Sequence, residues 1–265
     1  MTTVSRPQAV GELLREWRER RRLTQLELAL QAEVSTRHLS FVETGRATPS
    51  REMILHLAEQ LEVPLRERNQ LLLAGGYAPV YAQAGLDSPE LGSVRTAVRE
   101  VLTAHEPNPA IVIDRHWNLV DANSAVALFM HDVAVEQRTP PINVMRLSLH
   151  PRGAAPHIIN LAQWRAHLLS RLRREIAQTA DPELVGLYTE IRGYQPDLDT
   201  ANLETPSAGE VVIPLRFRFG EQELVFFSMV AAFGTPLDIT VDELALEFFF
   251  PADSATTSFL ASHRT

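Results

Sequence analysis

Apolar residues recur at three- and four-residue steps along the first part of the chain. Residues 8–23 place Val10, Leu14 and Trp17 at such steps, which predicts an amphipathic helix. Four further short helices are predicted before residue 77, each opened by a capping or helix-breaking residue. Five short helices in so few residues predict a compact all-α unit, which we assign to residues 1–77.

Local side-chain chemistry sets the predicted helix boundaries in this unit. Thr24, followed by Glu27 three residues later, forms the sequence pattern of a capping box. Ser35 and Ser50 are the next predicted N-caps. Gly45 is the predicted C′ residue of the third helix, where a left-handed backbone favours glycine.

Beyond residue 104 the pattern changes from helical steps to alternation, after a predicted linker and connecting helix over 78–104. Two short apolar runs, 110–114 and 117–121, predict a β-hairpin. Residues 211–219 alternate between apolar and polar positions, and 223–233 are more uniformly apolar, as in a central strand.

A fifth strand is predicted over 244–250, because apolar residues alternate with Glu243 and Glu247 and Pro251 follows. The same half of the chain has helical segments, at 123–130, 157–180, 182–192 and 254–261. The predicted fold is therefore multidomain: a five-helix all-α domain, then an α+β domain over 105–265 with a five-stranded antiparallel sheet.

Charge is divided unevenly between the two halves. The chain has 265 residues and a net charge of −8, but residues 1–77 carry +1 and residues 78–265 carry −9. The acidic second half would repel phosphate, so any contact with nucleic acid is expected from the first half. There is no Cys, which excludes disulfides and thiol chemistry. No apolar run approaches the length of a membrane span or a leader, so a cytoplasmic protein is expected.

The run from Leu23 to Ala29, followed by Val34 to Glu43 and then Gly45-Arg46, resembles the helix-turn-helix of the Cro/C1 or XRE type. In this arrangement the second helix enters the major groove of DNA while the first crosses the backbone. The resemblance implies contacts with bases or phosphates along both helices. The residues at these positions are Thr24, Gln25, Ser35, Thr36, Arg37, His38, Ser40, Phe41 and Arg46.

One position departs from that pattern. Glu33 occupies the turn where the family usually has Gly, so either it takes a left-handed backbone at a cost on the order of 1 kcal/mol or the turn differs.

Further segments resemble one subfamily, the MmyB-like regulators. They include Pro64 to Asn69, Ala74 to Pro79, Glu106 to Ala110, Asn143 to Leu147 and His150 to Gly153. The resemblance implies a PAS-like ligand-binding domain in the second half. Large apolar residues and nearby cationic groups are the candidates for its ligand site: Phe129, Met130, Met145, Arg146, Leu147, Leu149, His150, Trp164, His167, Leu168, Phe227 and Met229.

We therefore expect a transcription regulator that binds double-stranded DNA and reads a pseudo-palindromic operator as a homodimer. Flexible Met and large aromatic residues suit a small hydrophobic effector, such as a fatty acid, and no cofactor is singled out. The alternative is a constitutive regulator whose second domain serves dimerisation or contact with RNA polymerase. Haem would need an axial His, and no spacing selects one of the nine. An enzyme is not expected, because no nucleophile elbow, P-loop or H-E-x-x-H motif occurs.

Overall fold

The structure is a computed structural model that describes residues 9–194 and 212–263. Contacts divide the chain into two units. The first unit consists of the described residues up to Gly85 together with Thr235–Asp242, and the second holds the described parts of Leu86–Gly234 and Glu243–Thr265. The predicted domain limits stay a prediction, and the contacts divide the predicted linker at Gly85.

The first unit is built on five helices, as predicted. These are α1 (Val10–Arg20), α2 (Gln25–Gln31), α3 (Thr36–Glu43), α4 (Arg51–Gln60) and α5 (Leu65–Ala74). The three predicted N-caps are confirmed: Thr24, Ser35 and Ser50 each accept a hydrogen bond from the backbone N–H three residues ahead. Thr24 and Glu27 also complete the predicted capping box.

Two positions after the last residue of each of the five helices lies a residue with left-handed backbone. Gly45 and Gly76 have φ of 70° and 82°, and Arg22, Glu33 and Glu62 have φ of 57°, 52° and 48°. In each case the N–H of the next residue donates to the carbonyl five residues back, which is the Schellman closure. Glu33 therefore takes the strained conformation, at a cost on the order of 1 kcal/mol.

The helices pack around one apolar core, with Leu14, Trp17, Leu28 and Leu39 all nearly inaccessible to solvent. Gly11 allows α1 to approach α3 closely, because a β-carbon there would lie 2.1 Å from the carbonyl oxygen of Val42. The relative placement of α2 and α3 is thus fixed by packing on α1, α4 and α5.

A distant segment of the chain also belongs to the first unit. Thr235–Asp242, which connects two strands of the second unit, ends in a one-turn helix, Ile239–Asp242. The amide of Ala84 donates to Oδ2 of Asp238 over 2.8 Å, and the hydroxyl of Thr240 donates to the carbonyl of Ala84 over 2.6 Å. These bonds fix the segment to the end of the five-helix body.

The second unit contains a five-stranded antiparallel sheet, as predicted. Its strands are β1 (Ala110–Ile113), β2 (Leu119–Ala122), β3 (Leu215–Phe219), β4 (Gln222–Ala232) and β5 (Ala245–Pro251), in the order β2-β1-β5-β4-β3. The prediction that the third strand begins at 211 was wrong for residues 212–214, and Val211 lies outside the described residues. Pro214 lacks the N–H that a ladder needs, so pairing begins after it.

Helices cover both faces of this sheet. They are α6 (Gly92–Ala104), α7 (Val144–Leu149), α8 (Leu161–Thr179), α9 (Pro182–Arg192) and the C-terminal helix Ser254–Ser262. The segment predicted as a helix over 123–130 is instead a seven-residue 3₁₀ helix, Ser124–Met130. No helix in the described part of the chain is long and apolar enough to cross a membrane.

The two faces of the sheet belong to two different cores. Ile111, Leu224 and Phe249 join the large core that includes α7, α8 and α9. Val112 and Leu246, on the opposite face, pack with residues of α6. Because both faces are covered, alternation along a strand here does not separate inside from outside.

Candidate DNA-reading helix and apolar cavity

Helices α2 and α3 form the compact helical pair expected from the sequence. A short turn joins them, with Glu33 in left-handed conformation and Ser35 capping α3. The cap fixes the start of α3 at Thr36, and Arg37 in its first turn is exposed to solvent. A helix presented in this way can enter the major groove.

The predicted DNA contacts form one group on this pair and the turn after it. Arg37 and Arg46 place their guanidinium groups over the ring of Phe41, 5.4 and 5.9 Å from its centroid. The remaining predicted residues are exposed or half-exposed, and they are Thr24, Gln25, Ser35, Thr36, His38 and Ser40. Two cations and an apolar ring side by side suit phosphate contact and base contact together.

A buried ion pair, which sequence reasoning missed, ties α3 to α1. Nε and the second terminal nitrogen of Arg18 lie 2.6 and 2.8 Å from the two carboxylate oxygens of Glu43. Gln25 donates its side-chain amide to the same carboxylate over 2.8 Å. Only 9% of the Arg18 side chain and 1% of the Glu43 side chain are exposed. The bonds to Glu43 raise the pKa of Arg18.

Residues 18–22, Arg-Glu-Arg-Arg-Arg, form a local basic run in the sequence, and the structure divides it. Arg18 is buried in the ion pair, and Arg21 donates to the carbonyls of Leu61 and Glu62 over 2.8 Å. These two cations hold helices together, so only part of the run faces solvent. The 25-residue separation of Arg18 and Glu43 left no local signal for their pairing.

The second unit encloses an apolar cavity of about 80 Å³ between the sheet and its helices. Six predicted ligand residues line it: Phe129, Met130, Met145, Leu147, Trp164 and Leu168. Sequence reasoning missed other lining residues, among them Trp117, Val126, Ser148, Phe217, Glu247 and Phe249. The lining is almost entirely hydrocarbon and aromatic, so the cavity favours an apolar occupant.

The other six predicted ligand residues do not line this cavity. Leu149 is packed in the core around it, and His167 stacks on Trp164 at 5.4 Å. Arg146 is half-exposed and bound to Glu190, and His150 contacts the ring of Tyr194. Their placement follows from helix faces that the sequence alone did not fix.

Phe227 and Met229 point away from this cavity, because they lie on the opposite face of β4. Phe227 stacks on Phe250 with ring centroids 5.3 Å apart, and Met229 is 56% exposed. The inward face of the strand is the one that carries Leu224 and Phe226.

One side of the cavity carries a buried network of polar groups. Arg171 lies 3.0 Å from Oε1 of Glu247, which lines the cavity, and its guanidinium carbon lies 4.5 Å from the ring centroid of Trp117. The indole N–H of Trp117 donates to Glu175 over 2.6 Å. Burial raises the pKa of Glu175, and burial together with the nearby charge of Arg171 lowers the pKa of His167. The network keeps the charge of Arg171 compensated next to an apolar space.

A second network closes the start of α9. Asp181 caps that helix and accepts hydrogen bonds from Arg115 and His116, while Arg115 also binds Glu243 at 2.9 Å. Burial alone would raise the pKa of Asp181, but the bonds from His116 and Arg115 outweigh it and lower the pKa to about 2.

A second, more open cleft of about 500 Å³ lies in the same unit. Its apolar walls include Leu128, Phe219 and Phe259, and its polar groups are Glu106, Ser124, His131, Arg138 and His263. In the described residues, no group of three His, Asp or Glu side chains is arranged to hold a metal ion.

A helix-turn-helix body and a second unit with an apolar cavity define a DNA-binding regulator that carries a ligand-binding domain. Residues 14–68 match the helix-turn-helix family model. Residues 94–262 match the model of the MmyB-like transcription regulator ligand binding domain, which spans more than half of the chain. The chain belongs to the MmyB-like transcription regulators. No curated protein matches it.

Proposed function

We propose that this regulator reads a pseudo-palindromic operator as a homodimer and changes its DNA affinity when a small hydrophobic, fatty-acid-like effector binds in the second unit. The observation that carries this proposal is the cavity of about 80 Å³ lined by Phe129, Met145 and Trp164. A regulator needs no such space for DNA binding, and well-packed cores leave few voids larger than a water molecule.

The cavity as it stands is smaller than its proposed occupant. An engineered apolar cavity of about 150 Å³ binds a benzene molecule, so about 80 Å³ takes only a smaller group. A longer effector therefore has to displace side chains. Met130 and Met145 line the cavity, and their unbranched side chains can rearrange at low cost.

Chain connectivity supplies a route from the cavity to the DNA-binding unit. Glu247 and Phe249 line the cavity from β5, and the segment just before β5, Thr235–Asp242, groups with the first unit. An effector that shifts β5 would act on that anchored segment. Ligand binding then favours one state of the regulator by linkage, with a coupling free energy typically of about 1–3 kcal/mol.

The edge of β4 beyond Phe226, which has no partner among the described residues, supports the proposed homodimer. β3 pairs with β4 only as far as Phe226, so residues 228, 230 and 232 direct their backbone groups to an edge with no partner in the described residues. Met229 and Val230 are at least half exposed, and the stretch 227–232 carries no charge. The β4 strands of two copies can pair antiparallel about Val230 without bringing like charges together. An uncharged strand edge that stays unpaired promotes aggregation, so pairing with a second copy would also protect it.

The same edge favours a second candidate, a constitutive regulator whose second unit serves dimerisation alone. Contact with RNA polymerase remains part of that alternative. We do not propose an enzyme, because both matched family models describe parts of transcription regulators.

Native mass spectrometry of the purified full chain, followed by organic extraction, separates the two candidates. We expect a stoichiometric small apolar molecule. The variant Ala154→Leu fills the cavity, which Ala154 lines, and should lose that molecule. Ala177→Leu, at an exposed position of α8 that lines neither the cavity nor the proposed dimer edge, is the control. A protein that copurifies with nothing, and whose DNA affinity responds to no apolar compound, would support the constitutive candidate.

A further inference from the structure

The cavity and the outer cleft of the second unit share a single wall, the helix Ser124–Met130. Val126 and Phe129 face the cavity, while Ala125 and Leu128 face the cleft. Met130 lines both spaces. Met130 therefore lies between a cavity of about 80 Å³ and a cleft of about 500 Å³.

The wall is built from a conformation that is seldom this long. Ser124–Met130 is 3₁₀ over seven residues, whereas such helices rarely exceed three or four residues because their hydrogen bonds are poorly aligned. No side chain caps its start. Phe129 is held by edge contacts with Phe217, Phe226 and Phe249 at 5.1–5.4 Å, which leaves Met130 as the adaptable end of the wall.

Polar groups of the outer cleft are engaged, with one exception. Glu106 accepts hydrogen bonds from the amide and hydroxyl of Ser124. His131 lies 2.9 Å from Asp132, and His263 interacts with the carbonyl of Phe259 over 2.9 Å. Arg138 is exposed and has no side-chain hydrogen bond or ion pair to another described residue. A cation next to an apolar cleft suits an anionic group attached to an apolar chain.

We propose that the effector is a single-chain amphiphile that occupies both spaces, with its chain passing Met130 into the inner cavity and its anionic head group bound by Arg138 in the outer cleft. This inference rests on the proposed function and assigns the effector's polar end. It assigns the head group to a residue other than the ligand-site candidates Arg146 and His150, since Arg146 is bound to Glu190 and neither residue lines the cavity. It also accounts for a chain longer than the inner cavity can hold.

Titration of the full chain with decanoate and with decanol, by isothermal calorimetry, tests the assignment. Arg138→Gln should weaken decanoate binding roughly tenfold and leave decanol binding unchanged, because only the carboxylate uses the charge. Arg173→Gln, an exposed Arg of the same unit that lines neither space, should change neither. Equal weakening of both probes by Arg138→Gln would overturn the head-group assignment.

Two substitutions at Met130 test the connection. Met130→Trp should weaken decanoate binding at least tenfold by closing the passage, and Met130→Ala should speed decanoate association by opening it. Unchanged affinity and unchanged rate in these variants would show that the chain does not pass Met130. Met130→Leu keeps the volume and serves as the control.

Xenon, followed by NMR, distinguishes this proposal from the proposed function. Xenon needs only a small apolar cavity. If wild-type protein binds xenon in the inner cavity but no decanoate, the two-space binding mode fails while an inner apolar site stands. If it binds neither, both proposals fail.

Discussion

Removal of the Glu43 carboxylate is the most informative single change in the DNA-binding unit. Its two oxygens accept three hydrogen bonds, two from Arg18 and one from Gln25, all between 2.6 and 2.8 Å. In Glu43→Ala, the guanidinium of Arg18 would stay buried, and its remaining partners would be the carbonyl of Leu23 at 2.8 Å and the half-exposed carboxylate of Glu19 at 3.8 Å.

The expected cost follows from that burial. Breaking a buried pair by removing one partner typically costs about 3–5 kcal/mol, because it leaves an uncompensated charge away from water. The free energy of unfolding of a whole domain is only about 5–15 kcal/mol. Glu43→Ala should therefore remove a large part of the stability of the five-helix body and lower its melting temperature. The double variant Arg18→Met with Glu43→Leu removes both charges and should recover most of the loss.

Hydrogen exchange on the full chain, read by mass spectrometry, measures this unit separately. We expect faster exchange across α1–α5 in Glu43→Ala and unchanged exchange in α8, which belongs to the other unit. Arg15→Ala removes an exposed ion pair with Glu19 on the same helix, leaves both carboxylates near Arg18 in place, and should change neither region. A loss below about 1 kcal/mol in Glu43→Ala, the range of surface pairs, would refute the argument from burial.

Three further predictions concern single positions. Arg37→Ala should weaken specific DNA binding by about 1–3 kcal/mol and relax the base preference at one operator position, as measured by binding to operator variants. Arg15→Ala should change neither the affinity nor the base preference. An unchanged footprint in Arg37→Ala would show that Arg37 does not read a base. The pKa of Asp181 is lowered to about 2, so its stabilisation of about 2 kcal/mol is present above pH 4 and is lost as the pH falls towards 2. Asp181→Asn should flatten that part of a stability-versus-pH curve, and an unchanged curve would contradict it. Glu33→Gly relieves a φ of 52° and should raise the melting temperature, with a gain of up to about 1 kcal/mol; a fall would show that the strain is already compensated.

The sequence by itself determined the features that depend on near neighbours. Thr24, Ser35 and Ser50 act over three residues, so their capping bonds could be predicted and are present. Gly45 was recognised as a helix end for the same reason. The alternation that buries Leu215 and Phe217 and exposes Arg216 and Arg218 was also local, and it correctly gave the inward face of β3.

Only the tertiary structure decided which surfaces meet. Alternation in β5 suggested that Glu247 points outward, yet both faces of the sheet are covered and Glu247 lines the cavity beside Arg171. The same ambiguity applies to Phe227 and Met229, which lie on the face of β4 away from the cavity. Arg18 and Glu43 are individually unremarkable charges that become a buried pair because α1 and α3 approach through Gly11. A period of two or of 3.6 residues defines the faces of an element, but packing against elements distant in sequence determines what each face contacts.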